Sequence, residues 1–109
     1  MLPLQNNEYS RLLHHVKTRV RTSFGERFVR LVVFGSVARG TAQHDSDIDM
    51  MLFVRTSSPS DRDSIAEICS EMLLEYGVVL SLFCVTERAF DERPFSPLYR
   101  NIKQEGITI

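Results

Sequence analysis

No charge of one sign dominates this chain. Thirteen Lys and Arg stand against fourteen Asp and Glu, a formal net charge of −1, and charged residues make up 25% of the sequence. That balance excludes a charged disordered tail and an electrostatic nucleic-acid sponge. Glycine and proline are scarce, five and four respectively, and no low-complexity segment or internal repeat is present. Purely apolar runs such as Leu31 to Phe34 and Gly77 to Leu80 are far too short to cross a bilayer. Met1 to Asn7 offers neither a basic n-region nor a long apolar h-region, so no signal peptide is read and a cytoplasmic, membrane-free protein is the expectation. Cysteine is nearly absent. Cys69 and Cys84 fall inside apolar runs without C-x-x-C or C-x-x-H spacing, which reads as two small buried hydrophobes rather than a disulfide.

What remains is enough for a core. At 109 residues and 43% hydrophobic, residues 1–109 read as one domain with a thin stability margin. From Glu8 to Phe24, Leu12, Leu13, Val16, Val20 and Phe24 recur at three- and four-residue steps, one face of an amphipathic helix that Gly25 stops. Arg11, Lys17, Arg19 and Arg21 lie mostly on its other side. Without interleaved exposed aromatics they read as a solvated face, so no nucleic-acid partner is assigned. Phe28 to Phe34 and Ile48 to Val54 are β-branched and aromatic-rich strands. Ser60 with Asp63 resembles a capping box opening a helix through Ile65, Ile68, Met72 and Tyr76, with Gly77 as its stop. Val78 to Val85 is a third strand, and Ser96 caps a last helix ended by Gly106. The order is α-β-β-α-β-α, which predicts an α/β (α+β) fold: a small mixed sheet with helices packed on one side.

Two segments carry chemistry. Asp47 and Asp49 stand two apart at the start of a strand, so both carboxylates leave the same face. Held that close they repel unless a cation lies between them, and Mg²⁺ prefers such oxygen donors together with water and phosphate. Read alone, the pair is more simply a solvent-facing strand end. Gly35-Ser36 follows a buried strand directly, where glycine lets backbone N–H groups approach a phosphate and the hydroxyl donates to its oxygens. Arg39 adds a guanidinium fork of suitable charge. No Gly-Lys-Ser/Thr follows and no G-x-G start is present, so neither a P-loop nor a dinucleotide fingerprint is read. Read alone, this segment is more simply a tight strand-to-turn connection with a surface Arg. Together, at the ends of two core strands, a phosphate cradle and a carboxylate pair form the layout for Mg²⁺-assisted nucleotidyl transfer. His14 and His15 point about 100° apart on a helix and do not share a metal. His44 lies between the two motifs.

The contiguous segment Gly35 to Asp49, GSVARGTAQHDSDID, closely resembles the signature of the DNA polymerase beta-like nucleotidyltransferases. Within them it is similar to the minimal nucleotidyltransferases, with G-S-x-A-R-G, a short spacer and S-D-x-D. The resemblance implies that Gly35 and Ser36 hold the triphosphate, with Arg39 helping. It implies that Asp47 and Asp49 act as catalytic carboxylates ligating Mg²⁺, and that Ser46 fixes the turn that aims them. The reaction implied is attack of a hydroxyl on the α-phosphate of a nucleoside triphosphate, ATP for preference, with release of pyrophosphate.

One departure stands out. The family commonly carries a third carboxylate on the strand after the second helix, where this chain has Val79 and Ser81. Ser81 is a poor metal ligand and a poor base. Weak turnover, or a carboxylate supplied from elsewhere, is the expectation. Minimal nucleotidyltransferases are paired with small helical proteins of the HEPN type, in toxin–antitoxin systems where AMP is attached to the toxin. The resemblance therefore implies a HEPN-type partner in a homo- or hetero-oligomer. Two functions stay open: Mg²⁺-dependent transfer of NMP to a partner's hydroxyl, or a catalytically weak fold that neutralises a partner by contact. Small-molecule adenylylation is set aside, since no acceptor domain is read.

Overall fold

The computed structural model describes residues 6–40 and 47–109. Helix α1 (Asn6–Phe24) leads through a 3-10 turn (Gly25–Arg27) into strand β1 (Phe28–Phe34). Then come α2 (Gly35–Arg39), β2 (Ile48–Val54), α3 (Asp61–Tyr76) and β3 (Leu80–Thr86). Helices α4 (Glu87–Asp91) and α5 (Pro97–Glu105) and a two-residue strand β4 (Ile107–Thr108) complete the chain. The four strands form one mixed sheet in the order β3-β2-β1-β4. β1 is antiparallel to β2 and β4, whereas β2 and β3 run parallel.

The apolar alternation of β2 explains both layers. Ile48, Met50, Leu52 and Val54 face Leu12, Val16, Val20 and Phe24 of α1 and Ile68 and Met72 of α3. Met51 and Phe53, 2% and 0% exposed, point the other way. The expectation of helices on one side is met by α1 and α3, but the opposite face is covered as well. There Val32, Phe34, Met51 and Phe53 pack against Phe90 of α4 and Ile102 of α5. The rings of Phe53 and Phe90 meet edge to face at 4.9 Å. Burying a side chain of this size stabilises by about 1.5–3 kcal/mol, which is the physical reason a central strand apolar on both faces gathers helices on both.

Local signals were read unevenly. Ser96 caps α5 by accepting from the Tyr99 N–H at 3.3 Å, and Gly77 ends α3 in the left-handed region at φ 66°. The Ser60–Asp63 capping box does not form. Ser60 already has helical backbone angles (φ −81°, ψ −4°), so its hydroxyl makes no cap bond, where an N-cap ordinarily needs an extended residue. Asp61, the first helical residue, instead ties down the turn before the helix. Its carboxylate accepts from the Ser58 N–H at 2.9 Å and from both Arg27 nitrogens at 2.7 and 3.1 Å. Helix α2 between the first two strands, helix α4, capped by Thr86 accepting from the Ala89 N–H, and β4 are additions to the predicted order. The third strand begins at Leu80 rather than Val78. Cys69 and Cys84 are free thiols, and burial pushes the Cys84 thiol up to about 11. Among the described residues no helix is long and apolar enough to cross a membrane.

Candidate active site

The sheet brings together three strand ends. Because β1 and β2 are antiparallel and β2 and β3 parallel, the end of β1 lies beside the starts of β2 and β3. The register pairs Phe34 with Asp49, and Asp49 with Ser81. Cross-strand partners share a face, so Phe34, Asp49 and Ser81 project from the same side of the sheet. Asp47, one residue before β2, is exposed, while Asp49 is half-buried. Alternation along the strand sends both toward that side, as the sequence predicts.

Gly35 shapes the other wall. It takes φ +75° at the turn from β1 into α2, and a Cβ built there would lie 2.5 Å from Oδ2 of Asp49. The turn therefore lies against the carboxylate because there is no side chain between them. Ser36, half-buried, follows in the first turn of α2. Arg39, at the end of α2, is exposed and donates from Nη1 to Oε2 of Glu105 on α5 at 3.0 Å. Ser46, like His44, lies outside the described residues, so its expected role in aiming the aspartates is a proposal from the sequence.

The electrostatics mark Asp49. Burial pushes its carboxyl above the ordinary range, the neighbouring Asp47 carboxylate pushes it further, and Arg39 pulls it partly back. A half-buried carboxylate beside a second one is a site with uncompensated negative charge. Among the described residues no group of three or more His, Cys, Asp or Glu side chains forms a metal cluster. Two carboxylates on one face suit a hard divalent cation that keeps most of its shell as water and phosphate oxygen, the habit of Mg²⁺.

Ser81 completes the picture and sharpens the departure read in the sequence. Its hydroxyl donates to Oδ2 of Asp47 at 3.3 Å, and the register sets it opposite Asp49, so it stands beside both carboxylates. Phe83, two residues on along the same face, is 45% exposed and packs its ring 6.2 Å from that of Phe34. The family resemblance pointed to Val79 or Ser81, and the register with Asp49 settles on Ser81 as the one beside the pair. Glu105, the partner of Arg39, carried no sequence signal, because the contact depends on where α5 docks.

Residues 15–108 match the family described as Nucleotidyltransferase domain. The chain is 30% identical over 87 residues to "Putative protein adenylyltransferase MJ0604" of Methanocaldococcus jannaschii, spanning 80% of this chain and 83% of that protein. A solved structure described as a "putative minimal nucleotidyltransferase" superposes over 100% of this chain and 97% of its own, with a TM-score of 0.61 and 25% identity. A chain of the Shewanella oneidensis complex described as tri-AMPylated HEPN toxin with MNT antitoxin superposes at a TM-score of 0.53 and 12% identity, over 89% of this chain and 70% of that one. At that identity the likeness speaks for the fold.

Proposed function

The chain belongs to the nucleotidyltransferase domain family and is a nucleotidyltransferase, and we propose that it transfers AMP from ATP to a hydroxyl of a HEPN-type partner protein, with Mg²⁺ as its metal. The observation that carries this reading is the face shared by Asp47, Asp49 and the Gly35 turn, a carboxylate pair set against a glycine-opened wall. The adenylyltransferase relative supports the transferred group, and the HEPN–MNT complex supports the partner class.

In the reaction, the acceptor hydroxyl oxygen bonds to the α-phosphorus while the α–β phosphoanhydride bond breaks. Pyrophosphate leaves with the electron pair. Gly35 and Ser36 line the approach of the phosphates with a backbone N–H and a hydroxyl, and Arg39 supplies charge at the rim. Asp47 and Asp49 hold the cation, with Asp47 oriented by Ser81. When bound, Mg²⁺ offsets the charge of the phosphates and of the leaving group. The acceptor hydroxyl's proton passes to water, since Ser81 beside the two carboxylates is a poor base.

The alternative, neutralisation of a partner by contact alone, draws on Ser81 standing where a third carboxylate would be. One assay separates the two. The protein, co-expressed with a HEPN-type partner, is given ATP labelled at the α- or the γ-phosphate. Transfer predicts α-label on the partner, none from γ, and loss of labelling in Asp47→Asn/Asp49→Asn. A complex that forms equally well with the double variant and never acquires label would establish the contact reading.

A further inference from the structure

Arg39 is placed between two carboxylates on different elements. On one side is the site, since Arg39 ends α2, the short helix that opens at the Gly35 turn against Asp49. On the other, Nη1 donates to Oε2 of Glu105 at 3.0 Å, with the two side chains 46% and 35% exposed. This is not a chance meeting of two long side chains on one helix. Helix α5 is held by the Ser96 cap at its start and by Ile102, 3% exposed, near its end. Beyond it Gly106 lies against β1, where a Cβ would come 2.5 Å from Cγ1 of Val32 and against the Ile102 carbonyl. The following β4 pairs with Val32 and Val33. Glu105 is thus presented to Arg39 from an anchored position.

We infer that Glu105 is a positioning residue that competes with the nucleotide's phosphates for the Arg39 guanidinium. The inference rests on the nucleotide reading of the site. A guanidinium offers five N–H donors, and Glu105 engages it through Nη1. A triphosphate entering beside Asp49 recruits the same group and meets a like charge in Glu105. Both effects have the same sign: removing the Glu105 charge tightens phosphate binding. Because the pair is half-exposed, its strength lies in the range for surface ion pairs, which corresponds to about 1.5- to 5-fold in affinity. The α5–β4 segment thereby sets the affinity of a site it does not itself line.

Calorimetric titration in the presence of Mg²⁺ tests this with a non-hydrolysable ATP analogue and, separately, with adenosine. The proteins are wild type, Glu105→Gln, Arg39→Gln and the double variant. The expected result is that Glu105→Gln binds the analogue about 1.5- to 5-fold more tightly, binds adenosine as wild type does, and shows a smaller gain or none in the Arg39→Gln background. Unchanged or weaker analogue binding by Glu105→Gln overturns the inference. So does an equal gain with adenosine, or an equal gain without Arg39. Wild type that fails to bind the analogue at all removes the nucleotide reading itself, and is distinguishable from those outcomes.

Discussion

Gly35→Ala separates backbone strain from contact with the site. An L residue at φ +75° costs about 1–2 kcal/mol of left-handed strain. The new Cβ would also lie 2.5 Å from Oδ2 of Asp49, so the carboxylate has to move, and overpacking of that kind costs a further 1–3 kcal/mol or so. Gly77 has φ +66° with nothing within 4 Å of an added Cβ, so Gly77→Ala carries the strain alone. At roughly 4 °C per kcal/mol for a domain of this size, Gly77→Ala lowers Tm by about 4–8 °C and Gly35→Ala by about 8–20 °C. Thermal melts and urea midpoints read the stability, and titration with an ATP analogue and Mg²⁺ reads the site. Binding is lost in Gly35→Ala and kept in Gly77→Ala. In an Asp49→Ala background the extra cost at Gly35 disappears, leaving the Gly77 value. Equal destabilisation at the two glycines, with nucleotide binding intact in both, would refute the reasoning.

Three further outcomes follow from the same geometry. Because folding raises the Asp49 pKa, chiefly by burial, the ionised group costs stability above its folded pKa, and that cost fades as pH falls toward the ordinary carboxylate value. Asp49→Asn therefore raises the Tm of metal-free protein at pH 7, and a gain undiminished at about pH 4 contradicts this. Asp61 behaves oppositely: the hydrogen bonds from Arg27 hold it below its ordinary value, so its contribution is complete above that value and lost as pH falls through the lowered one. Asp61→Ala costs about 1.5–3 kcal/mol at pH 7 in urea melts, and an unchanged midpoint counts against the pair. Ser81→Asp sets a third carboxylate opposite Asp49. It lowers Tm without Mg²⁺ and recovers it with Mg²⁺ added, and a variant indifferent to Mg²⁺ would count against a cation at this position.

The parts of the fold legible in the sequence were those set by local pattern. The three- and four-residue stripe of α1 came from periodicity, and the limits of β1 and β2 from their β-branched and aromatic runs. The strand parity of Asp47 and Asp49 put both on one face without any tertiary information. Elements that exist because of distant packing were not legible. Five-residue α4 and two-residue β4 are too short for periodicity to register, and each is held by a partner far away in sequence, Phe53 for one and Val32 and Val33 for the other. The second apolar face of β2 was visible as Met51 and Phe53, but what covers it was not. Ser60 misled because its composition fits a cap, whereas the turn that Asp61 makes with Ser58 and Arg27 had already drawn it into the helix. In the site, the resemblance narrowed the third position to Val79 or Ser81 and the β2–β3 register chose Ser81, while the Arg39–Glu105 pair required the docking of α5.

The central claim is that Asp47 and Asp49 hold the cation through which this chain binds a nucleoside triphosphate. Calorimetric titration with a non-hydrolysable ATP analogue, with and without Mg²⁺, on wild type and Asp47→Asn/Asp49→Asn tests it most directly. The account predicts Mg²⁺-dependent binding in wild type that is lost in a double variant with an unaltered fold. Binding that is the same without Mg²⁺, or that survives both substitutions, would contradict it.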